Sequence, residues 1–125
     1  MASHLEIGRE GEKLAEAYLA EHGYTMLYRN WRYGKYEVDL IATKNDMLGF
    51  IEVKLRSSSQ YGQPEEAVNK KKIRDLLQAI DQFLYLNPQY NDFRLDVLSI
   101  TQHPGREADY FLIEDVTMWL VIGEW

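Results

Sequence analysis

The 125-residue chain contains no cysteine. Disulfide frameworks, thiolate metal sites and a cysteine nucleophile are thereby excluded, and a reducing compartment fits. No apolar run approaches the roughly 20 residues of a membrane span. Met1 to Glu6 show no basic stretch followed by an apolar one, so no signal peptide is expected and the chain reads as cytoplasmic. Internal repeats and low-complexity segments are also missing. Nor is there an excess of positive charge. Lys and Arg number 14 against 20 Asp and Glu, a formal net charge of −6. Taken alone, that weighs against a polyanionic partner. The distribution weighs the other way: residues 1–74 hold 12 of the basic side chains against 11 acids, and residues 75–125 hold the other 2 against 9. The basic residues also cluster, at Arg29, Arg32 and Lys35, at Lys54 and Arg56, and at Lys70 to Arg74.

What is present suits one domain with its own core, at 46% hydrophobic and 27% charged residues. The most informative stretch runs from Glu37 to Lys54. Two runs, Glu37 to Ala42 and Phe50 to Lys54, carry charge at every second position and flank Asn45-Asp46. Alternation of this kind marks half-buried strands, and Asn-Asp marks a tight hairpin turn. A hairpin symmetric about that turn sets Ala42 opposite Gly49, Asp39 opposite Glu52 and Glu37 opposite Lys54. Three carboxylates and a lysine then share one patch of sheet. Like charges on directly opposed residues are destabilising. An Asp39–Glu52 pair is costly unless a proton is shared or a cation lies between them. A hard divalent ion suits such an all-oxygen site. The alternative is a solvated outer face whose charges happen to align. A slip of one residue in register would separate the two carboxylates.

Around this hairpin the periodicity predicts a helix over residues 6–20, with Glu12 at the edge of its apolar stripe and Gly23 as its stop. Residues 24–31 read as an aromatic-rich strand, followed by a turn at 32–35. The mixture of Arg29, Trp31, Arg32, Tyr33, Lys35 and Tyr36 suits phosphate contact and base stacking, and equally suits ordinary cross-strand packing. Residues 55–64 read as a polar loop. A second helix ends before Pro88. It starts either at Asn69 as N-cap, which puts Lys70, Lys71 and Lys72 at the positive end of the dipole, or near Glu65. In either case the three lysines are expected outside the carboxylate patch, with Lys54 as the lysine beside it. Residues 93–101 and 109–114 read as strands around a turn at 103–106. His4, His22 and His103, at a terminus and in turns, read as spectators. The apolar end, Val116 to Ile122 with Trp125, must be covered, by its own core or by a second copy in a homodimer. The expected fold class is α/β, a mixed central sheet flanked by helices in the order α-β-β-β-α-β-β.

Five motifs stand in order: Gly8-x-x-Gly11-Glu12-x-x-Ala15-x-x-Tyr18-Leu19, Asn30-Trp31-Arg32, Glu37-Val38-Asp39-Leu40-Ile41-Ala42, Phe50-Ile51-Glu52-Val53-Lys54-x-Arg56 and Gly62-x-Pro64-x-Glu66-Ala67-Val68. In these the chain resembles the YraN family of small bacterial proteins, over about residues 5–100. That family is similar to the archaeal Holliday-junction resolvases, within the PD-(D/E)xK nuclease superfamily and its restriction-endonuclease-like core. The resemblance implies a single nuclease-like domain hydrolysing phosphodiester bonds of structured or branched DNA with Mg²⁺ or Mn²⁺. It implies Asp39, Glu52 and Glu12 as metal residues, with the Val53 carbonyl as a further ligand. Lys54 would orient the attacking water, and Glu12 would act through a water ligand or a second metal. Glu37 is a candidate further ligand. Arg32, Lys35, Arg56, Lys70, Lys71 and Lys72 are the candidate nucleic-acid contacts. Val38 stands in place of the signature proline, and Tyr36 in place of the glycine usual before Glu-x-Asp. A non-catalytic nucleic-acid-binding protein on the same scaffold is the competing reading, and a partner-binding domain with an acidic C-terminal half is a third.

Overall fold

The two alternating runs are joined by a turn in which both Asn45 and Asp46 have positive φ, 51° and 65°. This is the geometry that matches the twist of paired strands, and short polar side chains tolerate it. The computed structural model describes residues 4–58, 69–118 and 120. Within them the chain forms α1 (His4–Glu21), β1 (Thr25–Tyr33), β2 (Tyr36–Lys44), β3 (Met47–Ser57), α2 (Lys70–Leu86), β4 (Phe93–His103), β5 (Arg106–Ile113) and a short 3-10 turn, Val116–Met118. The predicted order is borne out. The five strands make one sheet in the order β1-β2-β3-β4-β5, antiparallel except for the β3–β4 pair that α2 connects.

Several boundaries differ from the sequence reading, each because pairing carries the chain further than propensity suggests. β1 continues to Tyr33, leaving only Gly34 and Lys35 to turn. Leu55 and Arg56, assigned above to a loop, belong to β3, since β4 runs alongside it as far as Ser57 and Gln102. β5 begins at Arg106 rather than residue 109, pairing back to His103. The start of α2 is settled by Asn69, whose extended backbone and side chain, accepting the Lys72 N–H at 2.8 Å, make it the N-cap. Residues 59–68, including the Gly62 to Val68 motif, lie outside the described residues.

Each face of the sheet carries one helix and one core. Under α2, the Phe83 ring meets Tyr28, Trp31 and Phe50 edge-on at centroid distances of 5.6, 5.3 and 5.6 Å. Under α1, Ala15 and Leu19 pack on Leu40, Ile51, Leu98 and Ile100. α1 comes close to β3 because Gly11 has no side chain: a Cβ there would lie 3.2 Å from the Leu55 Cβ. Of the apolar end, Val116 is fully buried and Leu120 packs against the α2-side core. Val116 and Leu120 are thus covered by their own chain, whereas Met118 is half exposed. Among the described residues no helix is long and apolar enough to cross a membrane.

Candidate active site

Alternation along β2 fails once, and the site forms there. Val38 and Ile41 both pack under α2, whereas Leu40 and Ala42 pack under α1. Side chains two apart should share a face; here residues three apart do, so the strand is irregular between Val38 and Leu40. Across β1 the register places Arg29 on Leu40 and Trp31 on Val38, and Asn30 between them has a φ of 53°. On the other side, the rungs with β3 run from Lys44–Met47 to Leu40–Ile51, with Ala42 on Gly49 as expected. The next rung would oppose Asp39 and Glu52. In its place Asp39 Oδ2 accepts the Val53 N–H at 2.8 Å. β2 and β3 part at this point, and a carboxylate fills the fork.

Asp39 and Glu52 meet there. Burial first, then a hydrogen bond with Glu52 and its charge, push the Asp39 carboxyl up to about 8. Two such carboxyl groups disfavour carrying two negative charges side by side, which favours retention of a proton by the pair. Glu12, on α1, lies within reach of the Asp39 charge. Its pKa is raised by burial, lowered by a hydrogen bond with Asn30, and raised by the nearby charges of Asp39 and Glu37. Asp39 and Glu52, far apart in sequence from Glu12, are thereby brought together at the split, and Glu12 lies within electrostatic range of Asp39.

The lysine that reaches this patch is not the one expected. Lys72 Nζ lies 3.0 Å from Glu52 Oε2, whose side chain is only 5% exposed. Burial disfavours the Lys72 charge, but Glu52 and Asp39 outweigh it and its pKa is raised. The placement of all three α2 lysines outside the patch is therefore corrected. The first turn of α2 faces the sheet fork, a fact that depends on where the crossover lands. Lys54 is exposed on β3, two residues beyond Glu52 on the same side of the strand, and makes no ion pair among the described residues. Its rung partner on β4, Ser99, is buried, and the Ser99 hydroxyl has no hydrogen-bond partner among the described residues. Ser99 carried no sequence signal of function, and Asn30 stood out only as the first residue of the Asn30-Trp31-Arg32 motif.

The other candidate residues are dispersed. Glu37 does not oppose Lys54; it pairs with Arg32 across β1, with Arg32 Nη2 2.7 Å from Glu37 Oε2. Lys35 lies over the Tyr36 ring at 5.4 Å. Arg56 Nε donates to Thr101 Oγ1 at 3.2 Å, and Lys71 pairs with Asp75 at 2.9 Å. Lys70 begins α2 and also has an interaction partner. The dipole penalty for cations in the first helical turn is thus offset locally, by Asp75 for Lys71 and by Glu52 for Lys72. His22 stacks on Tyr18, and His103, at the end of β4, pairs with Asp109 at 2.7 Å. No group of three or more Asp, Glu or His side chains is gathered closely enough to hold a metal among the described residues. The donor set fits a hard divalent ion held by two carboxylates and otherwise by water, because the Asp39–Glu52 contact is where such an ion would replace a proton.

Comparison with known proteins gives one family. The model of the Uncharacterised protein family UPF0102 matches residues 11–100, a span that includes Glu12, Asp39, Glu52, Lys54 and Lys72. The chain is similar to a UPF0102 protein of Parabacteroides distasonis, 48% identical over 117 residues, covering 93% of each chain. It is 42% identical over 105 residues to one of Bacteroides thetaiotaomicron, covering 84% of this chain and 87% of that one. It is 40% identical over 123 residues to one of Flavobacterium johnsoniae, covering 94% and 95%.

Proposed function

This chain belongs to the uncharacterised protein family UPF0102, the YraN family its motifs resemble, and we propose that its sheet fork is the centre of a metal-dependent endonuclease acting on structured or branched DNA. The observation that carries this reading is the contact between Asp39 and Glu52, two carboxyl groups forced together on a nearly buried patch. A structural role alone gives little reason to place like-charged groups there, since two apolar side chains would fill the fork at lower cost. A divalent cation does give one.

Asp39 and Glu52 would hold Mg²⁺ or Mn²⁺, and Glu12 would bind the water on the α1 side. When bound, the ion stabilises charge developing on the scissile phosphate and lowers the pKa of a coordinated water. The Val53 amide fixes the orientation of Asp39, so its other oxygen, the one turned to Glu52, would be presented without reorganisation. Lys54 is exposed at the rim, free to orient the attacking water or meet a phosphate oxygen. Lys72 holds Glu52 in place before the ion arrives.

A second reading is favoured by the same salt bridge. If Lys72 suffices to neutralise the fork, the chain is a non-catalytic nucleic-acid-binding protein on a nuclease scaffold. Incubating branched and linear DNA with Mg²⁺ or Mn²⁺, for the parent and Asp39→Ala, separates the two. The nuclease reading expects metal-dependent nicking of at least one substrate by the parent alone. Binding without cleavage of any substrate would favour the scaffold.

A further inference from the structure

A second feature lies at the opposite end of the sheet from the carboxylates. A cavity of about 600 Å³ opens between the end of α1, the β2–β3 turn and strands β4 and β5. At its floor Gly49 and Arg94 are paired across β3 and β4, three rungs before the rung that carries Glu52. That is roughly 10 Å along the strand. None of Glu12, Asp39, Glu52 or Lys72 lines it.

Its lining combines rings with cations. Tyr18, from α1, stacks on His22 at 4.1 Å and on Tyr110, from β5, at 4.8 Å with planes 9° apart. The Lys44 ammonium lies 5.1 Å from the centre of the Tyr24 ring. Arg94 donates to the Tyr24 hydroxyl at 3.1 Å. It also binds two carboxylates of different kinds. Asp96 is fully buried and accepts the Asp115 N–H as well as Arg94 Nε, so it is fixed. Glu114, 2.8 Å from Arg94 Nη1, is more than half exposed and can leave. The floor is open because position 49 has no side chain: a Cβ there would meet its neighbours only at ordinary distances, 3.5 Å or more. Packing alone would have filled that volume with a larger residue.

Parallel rings beside two cations, with one of those cations held by a displaceable carboxylate, match an aromatic ring attached to an anion. We propose that this cavity binds a nucleotide unit, whose base continues the Tyr18–Tyr110 stack and whose phosphate replaces Glu114 on Arg94 beside Lys44. The unit has two sources, a free mononucleotide or an unpaired nucleotide of a strand. The site is separate from the fork and does not rest on cleavage.

Amide chemical-shift titrations of the full chain with adenosine monophosphate, adenosine, inorganic phosphate and a short oligo-deoxyadenosine test this. The expected result is that the monophosphate perturbs residues around Lys44, Gly49 and Tyr110 and binds more tightly than adenosine or phosphate alone. Lys44→Glu, at the end of β2, should weaken it about tenfold. Glu114→Gln should strengthen it, and Asp39→Asn should leave it unchanged. An oligonucleotide binding much more tightly than the monophosphate at the same residues assigns the site to a strand, and equal affinity assigns it to a free nucleotide. The proposal is overturned if neither ligand perturbs these residues, if phosphate alone binds as well as the monophosphate, or if Lys44→Glu and Glu114→Gln both leave affinity unchanged.

Discussion

Lys72, in the first turn of α2, donates to Glu52 on β3 across 3.0 Å, while Lys54, on the same strand as Glu52, remains exposed. Two lysines thus stand at different depths of one site. Their removal should have different consequences. Lys54→Ala should abolish cleavage and leave DNA affinity nearly intact, because one phosphate contact among several contributes little to binding. Lys72→Ala leaves Glu52 buried without its cation and should cost about 1–3 kcal/mol of stability. Urea unfolding of both variants beside a cleavage assay measures the split. A Lys54→Ala protein that cleaves normally, with a Lys72→Ala protein that folds normally and does not cleave, would reverse the assignment.

Lys70 and Lys71 point to a separate effect. Neutralising both should weaken DNA binding at any sequence and lower the salt dependence, by up to about 0.9 in slope for each duplex phosphate that is no longer neutralised. Fluorescence anisotropy at several salt concentrations reads both quantities. Unchanged affinity and slope would leave these lysines as a solvated helix start.

Metal binding should displace the proton shared in the fork. Titration of the parent with Mn²⁺ near neutral pH should release about one proton per ion, seen as heats that differ between buffers of different ionisation enthalpy. Asp39→Ala should give little heat in either buffer. Equal binding by both proteins would remove Asp39 from the site.

The same pair sets a pH dependence. The Asp39 pKa is raised from 3.8 to about 8 on folding, so between those values the folded state binds a proton that the unfolded state lacks. Stability from this group is complete below the lower value and is lost as pH rises through the upper one, at most about 1.4 kcal/mol per pH unit. Metal-free protein should therefore become easier to unfold between pH 5 and 8. Asp39→Asn should flatten that slope, and an unchanged slope would place the proton elsewhere.

Much of this was legible in the chain. Alternating charge located both strands, and Asn45-Asp46 located the turn with its register, because period-two patterning and turn chemistry are local. The meeting of Asp39 with Glu52 followed from them. What stayed hidden is non-local. Nothing in Lys70-Lys71-Lys72 reveals that the third lysine faces β3, since this depends on how the crossover seats α2 on the sheet. The Asp39–Val53 hydrogen bond was equally hidden, because a broken ladder and a continuous one share the same pattern. Arg56 read as loop because its only strand-like neighbour, β4, lies more than forty residues away in sequence, at Thr101.

The C-terminal segment gives a stability test. Val116 is fully buried, and Val116→Ala should cost about 1–3 kcal/mol. Deleting residues 116–125 should cost more, and the intact chain should sediment as a monomer. A dimer that dissociates on deletion without loss of stability would assign the segment to an interface between copies.

The connectivity of the sheet has a kinetic consequence. β1, β2 and β3 form a meander of neighbouring antiparallel strands, whereas β4 joins only after α2 has crossed over. Hairpins close quickly, and parallel pairing across a long connection is slow. This topology predicts that Asp39 and Glu52 meet before Lys72 is seated against them. A hairpin formed in that order holds an acid pair with no internal cation, so mild acidity or a divalent ion should accelerate refolding as well as stabilise its product, and refolding rates unchanged by either would rule this order out.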